Sequence, residues 1–258
     1  MSREALLPKP GAYLTFPASE SQRHPEKHSD NNAVIRDTII GFADGLTVPF
    51  ALTAGLSSIG STRLVILGGL AELFSGAISM GLGAYLAAVT ESKTYEVEEA
   101  RERREVDEMP EAEEEEIYEI FDEYNLPRET VRPLVETLRQ DKEMWVKFMM
   151  DFELKLEKPA LNRAWISALV MGLSYFLGGL VPMLPYFFIN DIHHALFTSI
   201  GITVVVLLIF GYVKASATSC PRKSCVYSAF QTLLVGALAA ATSYAIVRGV
   251  DSFKAGKD

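Results

Sequence analysis

Cysteine, histidine and concentrated positive charge are all scarce in this chain. It has 2 cysteines and 4 histidines in 258 residues, and 33 acidic side chains outnumber 24 basic ones. Cys220 and Cys225 lie beside Pro221, Arg222 and Lys223 with no further Cys or His nearby. A structural zinc site needs about four such ligands, so free thiols are expected. The histidines are His24 and His28 near the N-terminus and the pair His193-His194. All are remote from the carboxylates described below, which weighs against a di-iron type of metalloenzyme. The absence of a basic patch excludes nucleic acid as a partner. The first stretch, to about residue 33, is polar and punctuated by Pro8, Pro10, Pro17 and Pro25. It lacks the apolar core of a cleavable signal and reads as a disordered arm. In such an arm His24 and His28 do not make a metal site.

What the chain has instead is segregation. Mean hydropathy is +0.16 although 22% of residues are charged. Between Glu91 and Arg163 stand 23 acids and 12 bases, so the net charge of −9 belongs to that segment. Outside it, five apolar segments reach the roughly 20 residues that cross a bilayer. They run about 37–58, 64–89, 164–189, 195–213 and 226–247. Buried helices of a soluble protein do not explain them, because nothing amphipathic remains to cover five such helices. Lys and Arg gather in the arm, in 91–163 and between the last two spans. By the positive-inside rule the N-terminus and the acidic segment are cytosolic and the C-terminus faces outward or into a lumen. The expected organisation is an arm (1–33), two spans (34–90), an acidic helical domain (91–163), three spans (164–250) and a tail (251–258). The fold class is all-α: a polytopic membrane protein with an inserted three- to four-helix domain and lipid around its spans.

Asp44 and Glu72 fall well inside the first two spans. An ionisable group at that depth costs several kcal/mol, about 2.5–3.5 on the mildest scale. It is retained where an ion, a proton or a buried partner offsets that cost. At about 1.5 Å per residue, Asp44 lies roughly 12 Å in from Arg36 and Met80 roughly 13 Å in from Val89, which puts the two level. Glu72 falls about 12 Å further across. A carboxylate with a thioether suits late divalent metals better than Mg²⁺ or Ca²⁺. Pro49 leaves the Gly45 carbonyl without its helical donor. That carbonyl is either a cation ligand, as in broken transporter helices, or simply bonded to a serine or water at a kink.

The second span runs on as helix with nothing to stop it before Pro110. Glu98, Glu102 and Glu105 share one face. Glu113 and Glu116 are one turn apart on the next helix, expected over 111–124, and acids at i, i+3 can present two carboxylates to one ion. Further helices are expected over 129–140 and 142–158. The last carries Met149, Met150 and Glu153; its methionines are core anchors or soft metal ligands. A solvated acidic face is the competing reading for the charge run.

Four stretches resemble the vacuolar iron transporter family. They are Arg36 to Leu52 (RDTIIGFADGLTVPFAL), Gly76 to Gly83 (GAISMGLG), Phe148 to Leu154 (FMMDFEL) and Gly178 to Pro182 (GGLVP). The resemblance spans about residues 33–250. It implies a homodimer with five spans per subunit that moves Fe²⁺ from cytosol into the vacuole in exchange for protons, for iron storage and detoxification. It implies a vacuolar membrane location and no prosthetic group. The family's transport-path residues match Asp44, Glu72 and Met80. Its metal-binding residues match Glu102, Glu105, Glu113, Glu116, Met149, Met150 and Glu153, with no departure at these positions. Zn²⁺, Mn²⁺ and Co²⁺ would satisfy the same ligands. A broader Mn²⁺/Fe²⁺/Zn²⁺ exporter and a membrane-anchored metal sensor are the alternatives.

Overall fold

Stop signals and helix caps divide the chain where the apolar pattern breaks. A computed structural model describes residues 32–160, 162–218 and 220–255. Among them are eight helices: α1 (Asn32–Ser57), α2 (Thr62–Glu108), α3 (Pro110–Asp122), α4 (Arg128–Leu138), α5 (Lys142–Phe152), α6 (Arg163–Phe188), α7 (Ile192–Ala217) and α8 (Arg222–Ala255). The expectations for residues 1–31, His24 and His28 included, lie outside the described residues, as does the end of the tail. Residues 32 and 33, assigned to the arm by sequence, belong to α1.

Several boundaries have a clear local cause. Ser61 caps α2 by accepting from the Leu64 amide at 3.3 Å, which satisfies one of the open N–H groups of the first turn. Asp191 does the same for α7 through the His194 amide at 2.9 Å. Pro110 opens α3, a position where its missing donor is not needed. α5 stops at Phe152 rather than near Lys158. There the amides of Leu154 and Leu156 turn back to the carbonyls of Met149 and Met150, and Lys155 adopts φ 54°, which a helix cannot continue.

Five helices, α1, α2, α6, α7 and α8, are long and apolar enough to cross a membrane. α6 lies between α1 and α2 and packs closely on both, while α8 packs on α1 and α7. The outward faces are apolar stripes at helical spacing: Ile78, Leu82 and Leu86 on α2, and Leu169, Leu173 and Leu177 on α6. Exposed apolar rows of this extent suit hydrocarbon rather than water.

α2 continues unbroken for 47 residues, roughly 70 Å of helix. Its last turns pack against α3 and α5. This end of α2 closes a small bundle with α3–α5 around Val106, Ile117, Val131, Val135, Trp145, Val146, Met149 and Met150. The two methionines are 0% and 1% exposed. They are core residues of the bundle, one of the two roles the sequence leaves open to them, because α5 turns this face inward.

Candidate metal sites

Small residues set how the apolar helices register. A Cβ at Gly172 of α6 would stand 2.9 Å from the Ala77 carbonyl oxygen of α2, and one at Gly81 would stand 2.9 Å from the Ala168 carbonyl. On the other side of α6, Gly41 and Gly45 of α1 lie against the carbonyls of Met171 and Tyr175. These close approaches need glycine. They place Asp44 level with Tyr175 and, across α6, with about Gly76 of α2. Glu72 and Met80 then lie one turn to either side of that level, each about 6 Å away along the axis. Asp44 is therefore midway between them and not level with Met80. Counting depth from Val89 treats that residue as a membrane edge, but α2 passes it without a break, and packing sets the register.

Tyr175, which sequence reasoning did not single out, joins this arrangement. Its side chain is 3% exposed. Its hydroxyl donates to Oε1 of Glu72, and its ring lies against Gly76, where a Cβ would approach within 2.5 Å of the hydroxyl oxygen. The other Glu72 oxygen, Oε2, is buried without a hydrogen-bond partner, which marks the point where a cation or proton would be stabilised. The available signal was a tyrosine in the middle of an apolar span, whose hydroxyl must find a partner there. The Gly45 carbonyl freed by Pro49 faces α6, 3.2 Å from the position of a Cβ on Gly179. It is enclosed in the helix interface.

Asp44 itself is exposed on the surface of a single chain, as are Arg36, Ile40 and Val48. Their spacing of four makes one stripe along α1. Met80 is half-buried.

A second group forms where α2 leaves the apolar region. The carboxylate oxygens of Glu102, Glu105 and Glu113 come within 4.8 Å of one another, and so do those of Glu113, Glu116 and Glu153. Glu113 belongs to both trios. α2 supplies Glu102 and Glu105 one turn apart, α3 supplies Glu113 and Glu116, and Glu153 caps the end of α5. Glu102 and Glu113 are 1% and 3% exposed. Oε2 of Glu102, of Glu113 and of Glu153 is buried with no hydrogen-bond partner. Buried carboxylate oxygens converging without donors are an arrangement that a hard or borderline divalent cation would satisfy.

The electrostatics agree. Burial first, then the neighbouring carboxylates Glu116, Glu102, Glu105 and Glu153, push Glu113 up to about 8. Burial, with Glu116 and Glu102 behind it, pushes Glu153 up to about 7. Glu102 is raised by burial and Glu105, against the pull of Arg101. Glu116 is raised by burial and by Glu105 and Glu119. The structure thus brings together all five predicted carboxylates. Met149 and Met150 sit beside them in sequence but pack into the apolar core.

Five helices long and apolar enough to cross a membrane, with acids on the first two and a carboxylate cluster where the second runs on to meet α3 and α5, define a polytopic membrane protein with candidate cation sites. The sequence profile of the VIT family matches residues 35–248, and the chain belongs to that family. It is 48% identical over 237 residues to vacuolar iron transporter 1 of Oryza sativa subsp. japonica, covering 91% of this chain and 93% of the relative. It is 47% identical over 239 residues to vacuolar iron transporter 1 of Tulipa gesneriana, covering 92% and 96%. Protein CCC1 of Saccharomyces cerevisiae is 45% identical over 222 residues, covering 83% of this chain and 68% of that one. The rice and tulip relatives carry the name of a transporter, not of an enzyme.

Proposed function

We propose that the protein carries Fe²⁺ from the cytosol into the vacuole across the vacuolar membrane, in exchange for protons, and so stores and detoxifies iron. The observation that carries this reading is the pairing of two acids on the apolar helices, Asp44 on α1 and Glu72 on α2, with a donor-poor carboxylate cluster where the extension of α2 meets α3 and the end of α5. The names of the rice and tulip relatives supply iron and the vacuole. The N-terminus and acidic bundle face the cytosol and the C-terminus the lumen, in keeping with the distribution of Lys and Arg.

The working unit is a homodimer. An exposed Asp44 at bilayer depth is too costly to leave against lipid, and a second copy laid along the α1 stripe covers it. Glu102, Glu105, Glu113, Glu116 and Glu153, with Met149 and Met150 behind them, gather Fe²⁺ at the cytosolic face. Asp44 and Met80 receive it between the subunits, and Glu72 passes it toward the lumen. The same carboxylates bind either metal or proton, because bound positive charge favours the ionised form and burial favours the neutral one. Protons arriving from an acidic lumen therefore release the metal. Zn²⁺, Mn²⁺ and Co²⁺ fit the same donor set.

Metal uptake by vesicles containing the full chain tests the route. Asp44→Ala and Glu72→Ala abolish uptake while the protein still elutes as a dimer. Undiminished uptake by either variant would refute a path through these carboxylates.

A further inference from the structure

The carboxylate cluster already contains a cation. Arg101 is on α2, between Glu98 and Glu105. Its Nη1 stands 3.0 Å from Oε2 of Glu98, its Nη2 3.5 Å from Oε1 of Glu102 and its Nε 3.3 Å from Oε2 of Glu105. Glu102 and Glu105 are two of the three acids in one candidate trio. Other basic side chains of the bundle point elsewhere: Arg103 to Glu99 and Glu143, Lys142 to Asp107, Arg128 to Glu115 and Arg139 to Glu114. Among the described residues, Arg101 is the basic side chain that forms ion pairs with the cluster.

The geometry is that of a tethered counter-ion. Arg101 holds Oε1 of Glu102 and leaves Oε2 of the same carboxylate buried and unpartnered. Its own side chain is 46% exposed, so it has solvent to move into. A guanidinium is fixed in charge and forked, and it can bridge several carboxylates at once. A divalent ion seated on Glu102, Glu105 and Glu113 would face a positive charge within a few ångströms, where like charges repel appreciably even near a surface.

We propose that Arg101 is a built-in competitor for the metal. It neutralises part of the cluster when no ion is bound, and swings out toward solvent when one arrives. It thereby weakens binding enough for the ion to be passed on. This inference rests on the reading of the cluster as a metal site and adds to it the residue that sets its affinity.

Two measurements on the full-length protein in detergent, with Mn²⁺ as probe at about pH 8, test it. In titration calorimetry, Arg101→Gln binds Mn²⁺ about five- to tenfold more tightly than wild type, and Arg101→Lys stays within about twofold, since it keeps the charge. Equal or weaker binding by a folded Arg101→Gln, with helical content and thermal stability unchanged, overturns the proposal. The second measurement needs no variant. Modification of Arg101 by a dicarbonyl reagent, followed by peptide mass spectrometry, rises several-fold when Mn²⁺ is added. Unchanged or reduced modification also overturns it. If wild type takes up no Mn²⁺ at all, the metal-site reading itself fails, which the calorimetry separates from a failure confined to Arg101.

Discussion

The hydroxyl of Tyr175 on α6 donates to the carboxylate of Glu72 on α2, so the acid deepest along the proposed path is held by a neighbouring helix. That bond fixes one oxygen of Glu72 and leaves the other without a partner. It also places an aromatic ring beside Gly76, at the level of Asp44.

Tyr175→Phe removes the donor and keeps the ring. A hydrogen bond to a charged group contributes about 1.5–3 kcal/mol, so the ionised form of Glu72 loses support and holds metal less well. The expected outcome is metal flux in vesicles slowed at least about tenfold, with the protein still folded. A wild-type rate would show that the bond has no part in transport.

The α1–α6 contact is tight enough to be tested by one added methyl group. A Cβ at Gly45 would overlap the Tyr175 carbonyl, and overpacking of this kind costs about 1–3 kcal/mol. Gly45→Ala lowers the thermal midpoint in detergent and reduces flux, because Asp44 is the adjoining residue. Gly83→Ala, where a Cβ meets nothing within 4 Å, leaves the midpoint unchanged. Equal midpoints for the two variants would contradict the packing register.

Metal binding by the acidic cluster follows pH with a definite sign. Burial and mutual repulsion raise Glu113 from an ordinary value of 4.5 to about 8 and Glu153 to about 7. Between the ordinary and the raised values, the metal-free folded protein retains protons that the unfolded chain has released. Its stability is therefore full below about pH 4.5 as far as these groups are concerned, and falls as pH rises through about 7 and then 8. A divalent ion displaces those protons, so affinity rises over the same range. Mn²⁺ should raise the thermal midpoint by more at about pH 8 than at about pH 6, with proton release on binding. Glu113→Gln should remove most of that difference. A metal-induced shift independent of pH would contradict the assignment.

The five apolar helices and the unbroken α2 were legible in the sequence because each rests on local signals: span length, caps, and the lack of a breaker before Pro110. The carboxylates of the acidic bundle were legible for a related reason, since i, i+3 spacing fixes which acids share a helix face. Relations between helices were not. The level of Asp44 depends on which glycines of α1 meet which carbonyls of α6, and sequence distance from a presumed membrane edge misplaces it by about a turn. Tyr175 gave only a polar hydroxyl in an apolar run, with no indication that its partner was Glu72. For Met149 and Met150 the sequence left core anchor and metal ligand both open, and only the packing of α5 places them in the core. The ion pairs of Arg101 with Glu98 and Glu105 follow from their spacing on α2, but only packing brings Glu113 of α3 to the same carboxylates.

Coupling between metal and proton is the central claim, and recording both in the same vesicle tests it most directly. Vesicles containing the full chain and an acidic interior are given external Fe²⁺ under reducing conditions, with internal metal and internal pH followed by separate dyes. The account predicts that iron entry and internal alkalinisation start together, that both disappear in Asp44→Ala, and that collapsing the gradient with a protonophore slows iron entry. Iron entry at the same rate without a pH gradient, and with no change in internal pH, would contradict it.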